Sequence, residues 1–122
     1  MAELVVRLRT DRRGLAALAL TTNPSVLTAA GNDYGFERIF FRQIESLVSP
    51  QYVLVALSTS GARPNIVRGV EAGRARGAYV VAFTGETGGA LAGKVDLLLN
   101  APSQDPQRIQ EAISPWATSP AR

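Results

Sequence analysis

The stretch YVLVALSTSGARPNIVRGVEAGRARG, residues 52–77, decides the fold. It opens with six apolar residues, Tyr52 to Leu57, and closes that run with Ser58-Thr59-Ser60-Gly61. A short continuous apolar run ended by hydroxyls and glycine is the pattern of a strand buried on both faces. The second half changes period. From Pro64 to Arg76 the apolar residues Ile66, Val67 and Val70 recur at helical spacing and point inward. Pro64 suits a first helical turn, where its missing N–H would have no partner anyway. Gly77 is placed to end the helix in a left-handed conformation. Strand, hydroxyl-rich loop and helix therefore follow one another within 26 residues.

The same alternation extends outward. Ala78–Phe83 (AYVVAF), Val95–Asn100 (VDLLLN) and Leu15–Leu20 (LAALAL) are three further short apolar runs, each expected to be a strand. Phe36, Ile39, Phe40, Gln43, Ile44 and Leu47 fall on one stripe of a helix. Strands alternating with helices form βαβ units around a parallel sheet covered on both faces. Ligands of such sheets bind beyond the carboxyl ends of the strands. Those ends here read Thr21-Thr22-Asn23, Ser58-Thr59-Ser60-Gly61 and Thr84-Gly85-Glu86-Thr87-Gly88-Gly89, so three polar loops are expected at one edge.

Size and composition bound the function. The 122 residues, 46% hydrophobic and 19% charged, make one ordinary globular domain. No apolar run approaches the ~20 residues of a membrane span. The N-terminal MAELVVRLRTDRR lacks a signal-peptide pattern, so a soluble cytoplasmic protein is the plain expectation. With no cysteine, neither a disulfide framework nor a thiolate metal site is available. Net charge is +3 and nearly all the basic residues are arginine, but they are scattered along helical stretches. That distribution reads as a solvated face and not as a nucleic-acid surface.

Between a buried strand and a helix start, the hydroxyls of Ser58, Thr59 and Ser60 could join free backbone N–H groups and the helix dipole in an anion site. Gly61 would let a ligand oxygen approach the backbone closely. The same residues could equally be an ordinary Ser/Thr helix cap. The patterns GxxxxGK[ST] and GxGxxG are both absent, which excludes a Walker loop and a dinucleotide fingerprint. Asn32 and Asp33, in GNDYGF ahead of the first amphipathic helix, could bind sugar hydroxyls or could serve turn and cap chemistry. Gly85-Glu86-Thr87-Gly88-Gly89 reads most simply as a flexible turn. Asp105 before Pro106 suits a helix start, and Ser114-Pro115 is expected to stop or kink that helix almost at once.

GNDYGF, STSG, TGETGG and RIQE in this order, across Glu3 to Glu111, resemble the SIS-domain (sugar isomerase) phosphoheptose isomerases. The resemblance implies an α/β fold, a three-layer αβα sandwich with a parallel sheet in flavodoxin-like order. It makes 1–113 a single SIS domain with incomplete terminal helices and 114–122 a tail. The implied activity is interconversion of sedoheptulose 7-phosphate and glycero-manno-heptose 7-phosphate, in a bacterial homo-oligomer (a tetramer in the family) that often carries zinc. Moving a proton between adjacent carbons through an enediol needs a base, an acid and a stabilised oxyanion. By position in the family's motifs, Ser58, Thr59 and Ser60 bind phosphate, and Asn32 and Asp33 contact the sugar. Glu3 is the catalytic and zinc-binding carboxylate, and Gln110 contacts substrate and metal.

The chain also departs from the family pattern. It begins after the family's Asn-Gly-Gly loop and first zinc histidine, and AISPWATSPAR replaces the segment bearing the second. The chain is thus expected to be shortened at both ends, and Glu3 with Gln110 alone is a poor zinc donor set, so no zinc is expected here. Arg63 stands where the family's STSGNS carries a phosphate-binding serine; it could grip phosphate bidentately or fill the pocket. Apolar surface on Phe40, Phe41 and the sheet face is expected to be left bare. Two functions remain open: an isomerase with an incomplete acid and metal centre, or a non-catalytic binder of sugar phosphate or protein, like the family's relative that associates with the replication initiator. No membrane or nucleic-acid partner is expected.

Overall fold

A computed structural model describes residues 2–7 and 11–118, leaving out the side chains of 2, 3 and 116–118. The elements run α1 (Ala2–Val5), α2 (Pro24–Tyr34), α3 (Ile39–Leu47), β1 (Val53–Ser58), α4 (Pro64–Ala75), β2 (Tyr79–Thr84), β3 (Leu97–Asn100) and α5 (Pro106–Thr118). Short 3-10 turns lie at Phe36–Arg38 and Gly89–Leu91. The three strands are parallel and in sequential order, as in one arm of a doubly wound sheet. Val55 is opposite Val81 and Ser58 opposite Thr84, while Thr84 in turn faces Asn100. This register brings the polar ends of all three strands level at one edge.

Alternation along the strands divides the core in two. On one face Ala56, Val80 and Ala82 pack with Val70 of α4 and with Leu91, flanked by Leu54, Ile66, Val67 and Leu98. On the other, Phe83 and Ala101 pack with Ile109 and Ile113 of α5. Helix, sheet and helix are the three layers expected. Helix α4 ends as its sequence predicts, with Gly77 at φ 78°. It is sandwiched between the sheet and α3, whose Ile39, Gln43 and Ile44 are buried.

Four expectations need correction. Leu15–Leu20 is not a strand: no ladder joins it to β1, and its hydrogen bonds include Leu15 N–H to the Leu4 carbonyl, the Gln43 amide to the Leu20 carbonyl and Thr22 to the Ala19 carbonyl. Alternating Leu and Ala offer none of the β-branched or aromatic packing that favours a pleated ribbon. Secondly, the apolar stripe at Phe36–Leu47 is buried only in its middle, since Phe36 and Leu47 at its ends are exposed. Thirdly, Pro115 does not stop α5, which continues to Thr118 and takes in the first residues of the expected tail. Proline near a helix end forfeits one backbone hydrogen bond, and a buried helical face upstream can outweigh that. Lastly, β1 is not covered on both faces. Val53, Val55 and Leu57, on the face that α5 leaves open, are 61, 54 and 51% exposed, and Tyr79 and Leu97 share that orientation. The bare sheet face is the one expected; Phe40 and Phe41, by contrast, are half-buried, with the Arg38 guanidinium 5.7 Å over the Phe41 ring.

An ionic patch fastens α4 to the approach to β3. Lys94 reaches Glu71 at 2.7 Å, Arg68 reaches the same carboxylate at 3.4 Å, and Arg74 lies 3.5 Å from Asp96. Asp96 also accepts the Val80 N–H at 2.7 Å, tying β3's start to β2. The hydrogen bond from Lys94, helped by the charges of Lys94 and Arg68, lowers the Glu71 pKa below its ordinary value. No helix among the described residues is long and apolar enough to cross a membrane.

Two predictions follow from this architecture. A carboxylate with a depressed folded-state pKa stabilises the fold above its unfolded pKa and ceases to do so as pH falls through the folded value. Glu71→Gln should therefore cost under about 1 kcal/mol at pH 7, as for an exposed pair, and less at pH 3. Urea titrations at the two pH values measure the difference. The bare face should make the chain self-associate with rising concentration in sedimentation velocity. Val55→Lys with Leu57→Lys should restore a monomer while the helical circular dichroism is kept.

Candidate functional site

Ser58 ends β1 with its side chain buried, and its Oγ accepts the Gly61 N–H at 3.1 Å. Ser60 is exposed, and its Oγ accepts the Ala62 N–H at 3.3 Å. These bonds curl the chain so that it passes from strand to α4 in five residues, with Gly61 at φ 62°. Arg63 follows in an extended conformation at the N-cap position and its side chain makes no cap hydrogen bond, while Asn65 Oδ1 accepts the Ile66 N–H at 2.9 Å. The cap alternative for the hydroxyls thus does not hold for α4: they brace the loop instead.

The neighbouring loop is built against this one. Gly85 N–H donates to the Thr59 carbonyl at 2.9 Å. A Cβ on Gly61 would collide with the Gly88 carbonyl, and one on Gly89 with the Ser60 carbonyl. Gly88 and Gly89 both have positive φ, 74° and 54°. Two main chains are therefore pressed together at a distance only glycine permits. Fully buried Thr84 donates its hydroxyl to the Gly85 carbonyl at 3.0 Å. The Asn100 amide, at the end of β3, donates to the Gly85 and Glu86 carbonyls at 2.9 and 3.2 Å. TGETGG is accordingly a clamped wall of the site and not a flexible turn. Thr84, Gly88, Gly89 and Asn100 are the residues the sequence reading missed, although the doubled glycine after a strand was a visible signal.

The start of α5 arrives at the same edge. Glu86 N–H donates to the Ser103 carbonyl at 3.1 Å, and the Gln104 amide to the Glu86 carboxylate at 3.0 Å. Asp105 caps the helix as expected, accepting the Gln107 N–H at 2.9 Å. A Cβ on Gly85 would meet the Ile109 side chain together with the Thr59 and Ser103 carbonyls. The backbone next to Gln110 is thereby brought to the loop that touches Thr59, while the Gln110 side chain is exposed.

Other expected residues are not gathered here. Asn32 and Asp33 are exposed on the last turn of α2, a helix the sequence reading did not anticipate, and no hydrogen bond joins them to the Ser58 loop. Asn23 takes the cap role at that helix, accepting the Val26 N–H at 3.1 Å. Glu3 lies on α1, and its side chain is outside those described. Among the described residues no three His, Cys, Asp or Glu side chains cluster as metal ligands. An open groove of about 630 Å³ runs between Leu18, Ala19, Val26 and Leu47, with Gln43 and Ser46 on its wall. It has no charged lining, and the Gln43 amide N–H groups are already held by the Leu20 and Ile39 carbonyls. The groove therefore offers an anion no charged partner.

The family model described as the SIS domain matches residues 1–85. Phosphoheptose isomerase of Roseiflexus sp. (strain RS-1) is 48% identical over 110 residues, 90% of this chain and 56% of its own. The enzyme of the same name from Aquifex aeolicus (strain VF5) is 49% identical, again over 90% of this chain and 58% of its own. The structure of a phosphoheptose isomerase from Francisella tularensis superposes with a TM-score of 0.86 at 36% identity, covering 91% of this chain and 60% of that one. The chain spans a little over half the length of the relatives it matches. A parallel sheet carrying a glycine-clamped hydroxyl loop, matched over most of its length, places this chain in the SIS-domain family, where the relatives it resembles are phosphoheptose isomerases.

Proposed function

We propose that the chain carries the phosphate-holding part of a sugar-phosphate isomerase of the phosphoheptose type, acting on sedoheptulose 7-phosphate. The observation that supports this best is the clamp. Ser58, Thr59 and Ser60 place their hydroxyls in the loop that leads into the first turn of α4, and that loop's shape is fixed by Gly61 against Gly88. Fixed donors aimed at one place recognise phosphate oxygens without reorganising on binding. The phosphate would anchor one end of the sugar and leave its carbonyl end free for proton transfer.

For that transfer Glu3 is proposed as the base and Gln110, at the start of α5, as the substrate contact. Asn32 and Asp33 are assigned to sugar hydroxyls on the family resemblance alone, and their place on α2 offers no direct support. The 122 residues contain no histidine and no cysteine, so a zinc site does not fit the donors present. The roles proposed for these residues use no metal. The same lack of imidazole favours a second reading, in which the chain binds the sugar phosphate and does not turn it over. A homo-oligomer and a cytoplasmic location are part of the proposal by family likeness.

Phosphorus NMR of the purified chain with sedoheptulose 7-phosphate separates these readings. A shifted resonance joined by that of a second sugar phosphate supports isomerisation, and a shift alone supports binding. An unchanged spectrum from folded protein would sink both. Ser60→Ala should weaken binding about tenfold, the value of one hydrogen bond to a charged group. Gly61→Ala should abolish it and lower stability by more than about 2 kcal/mol, because the added methyl meets backbone at positive φ.

A further inference from the structure

We infer that Arg63 makes this site select its ligand by charge, favouring a dianionic phosphate ester over an isosteric monoanion. The inference rests on the phosphate reading above and concerns Arg63, in the loop that leads into α4. Three observations carry it. Arg63 is exposed at the N-cap position of α4, two residues beyond Gly61, with φ −67° and ψ 124°. Pro64 behind it restricts residue 63 to that extended region, so the base of its side chain is held in place. Its guanidinium has no hydrogen bond or ion pair among the described residues. Most other described arginines are engaged: Arg42 with Glu45, Arg68 with Glu71, Arg74 with Asp96, and Arg76 with the Val48 carbonyl. The carboxylate on the facing loop, Glu86, is hydrogen-bonded to Gln104 and not to Arg63. An unneutralised cation thus stands at the mouth of a cradle made otherwise of neutral donors.

The two kinds of donor read different properties. Hydroxyls and backbone N–H groups respond mainly to the positions of ligand oxygens, which a phosphate and a sulfate ester share. A guanidinium is always charged, and its attraction scales with the charge of the ligand. A phosphate monoester is largely dianionic at neutral pH, whereas a sulfate ester remains a monoanion. Arg63 therefore supplies most of the discrimination, since its full charge outweighs the partial charge of the α4 dipole.

Isothermal titration of the full chain at pH 7.5 with sedoheptulose 7-phosphate and with the 7-sulfate of the same sugar tests this. The wild-type chain should prefer the phosphate by about tenfold, one decade per 1.4 kcal/mol. Arg63→Ser should reduce the preference to within about threefold and flatten the salt dependence of phosphate binding. Arg63→Lys, which keeps the charge, should retain most of both. Because Arg63 is exposed, the variants should keep the wild-type circular dichroism. A wild-type chain with no preference, or a serine variant with the wild-type ratio, overturns the role of Arg63 and leaves the phosphate reading intact. A wild-type chain that binds neither ester removes the phosphate reading itself, and this inference with it.

Discussion

Everything at the carboxyl edge of the sheet depends on two stretches of main chain lying closer together than any side chain would permit. The Ser58–Gly61 loop and the Gly85–Gly89 loop touch backbone to backbone, at Gly61 against Gly88 and at Ser60 against Gly89. A contact of this kind has no rotamers to reorganise. It sets the direction in which the Ser58 and Ser60 hydroxyls face and the angle at which α4 leaves the sheet. Asn100 and Thr84 bind the second loop from behind, so the wall is braced by the last residues of β2 and β3. The parallel register that puts Ser58, Thr84 and Asn100 in one row is what makes this bracing available.

The rest of the molecule serves that edge unevenly. Helix α4 is locked to the sheet by an apolar core and by the Lys94–Glu71 and Arg74–Asp96 pairs. Helix α5 covers β2 and β3 and stops short of β1. The site is therefore held firmly by its middle strand and by α4, while the outer strand presents Val53, Val55 and Leu57 to solvent. The relatives this chain resembles extend well beyond the part it matches.

Much of this was legible in the sequence because it rests on local rules. The strand runs at Tyr52–Leu57, Ala78–Phe83 and Val95–Asn100 are short, apolar and punctuated, and each appears within two residues of its expected place. Pro64, Gly77 and Asp105 mark helix ends through backbone geometry that depends only on neighbours. Leu15–Leu20 misled because an apolar run signals burial, while a strand also needs a partner of matching register. Asn32 and Asp33 misled because GNDYG resembles turn chemistry, whereas Asn23 and Pro24 upstream start a helix that runs through it.

By itself, then, the sequence determined the α/β class, the βαβ unit around Ser58–Gly61 and the polar character of the loops beyond the strands. These follow from hydrophobic period and from the fixed backbone preferences of proline and glycine. Only the tertiary structure decided that the TGETGG turn is clamped against the Ser58 loop, that Asn32 and Asp33 sit on a separate helix, and that Arg63, at the α4 N-cap position, has no ion pair among the described residues. Each of those depends on what lies opposite across space. A glycine's need for a neighbour's backbone, or an arginine's lack of a carboxylate, is a relation between distant segments, and no local pattern along the chain records it.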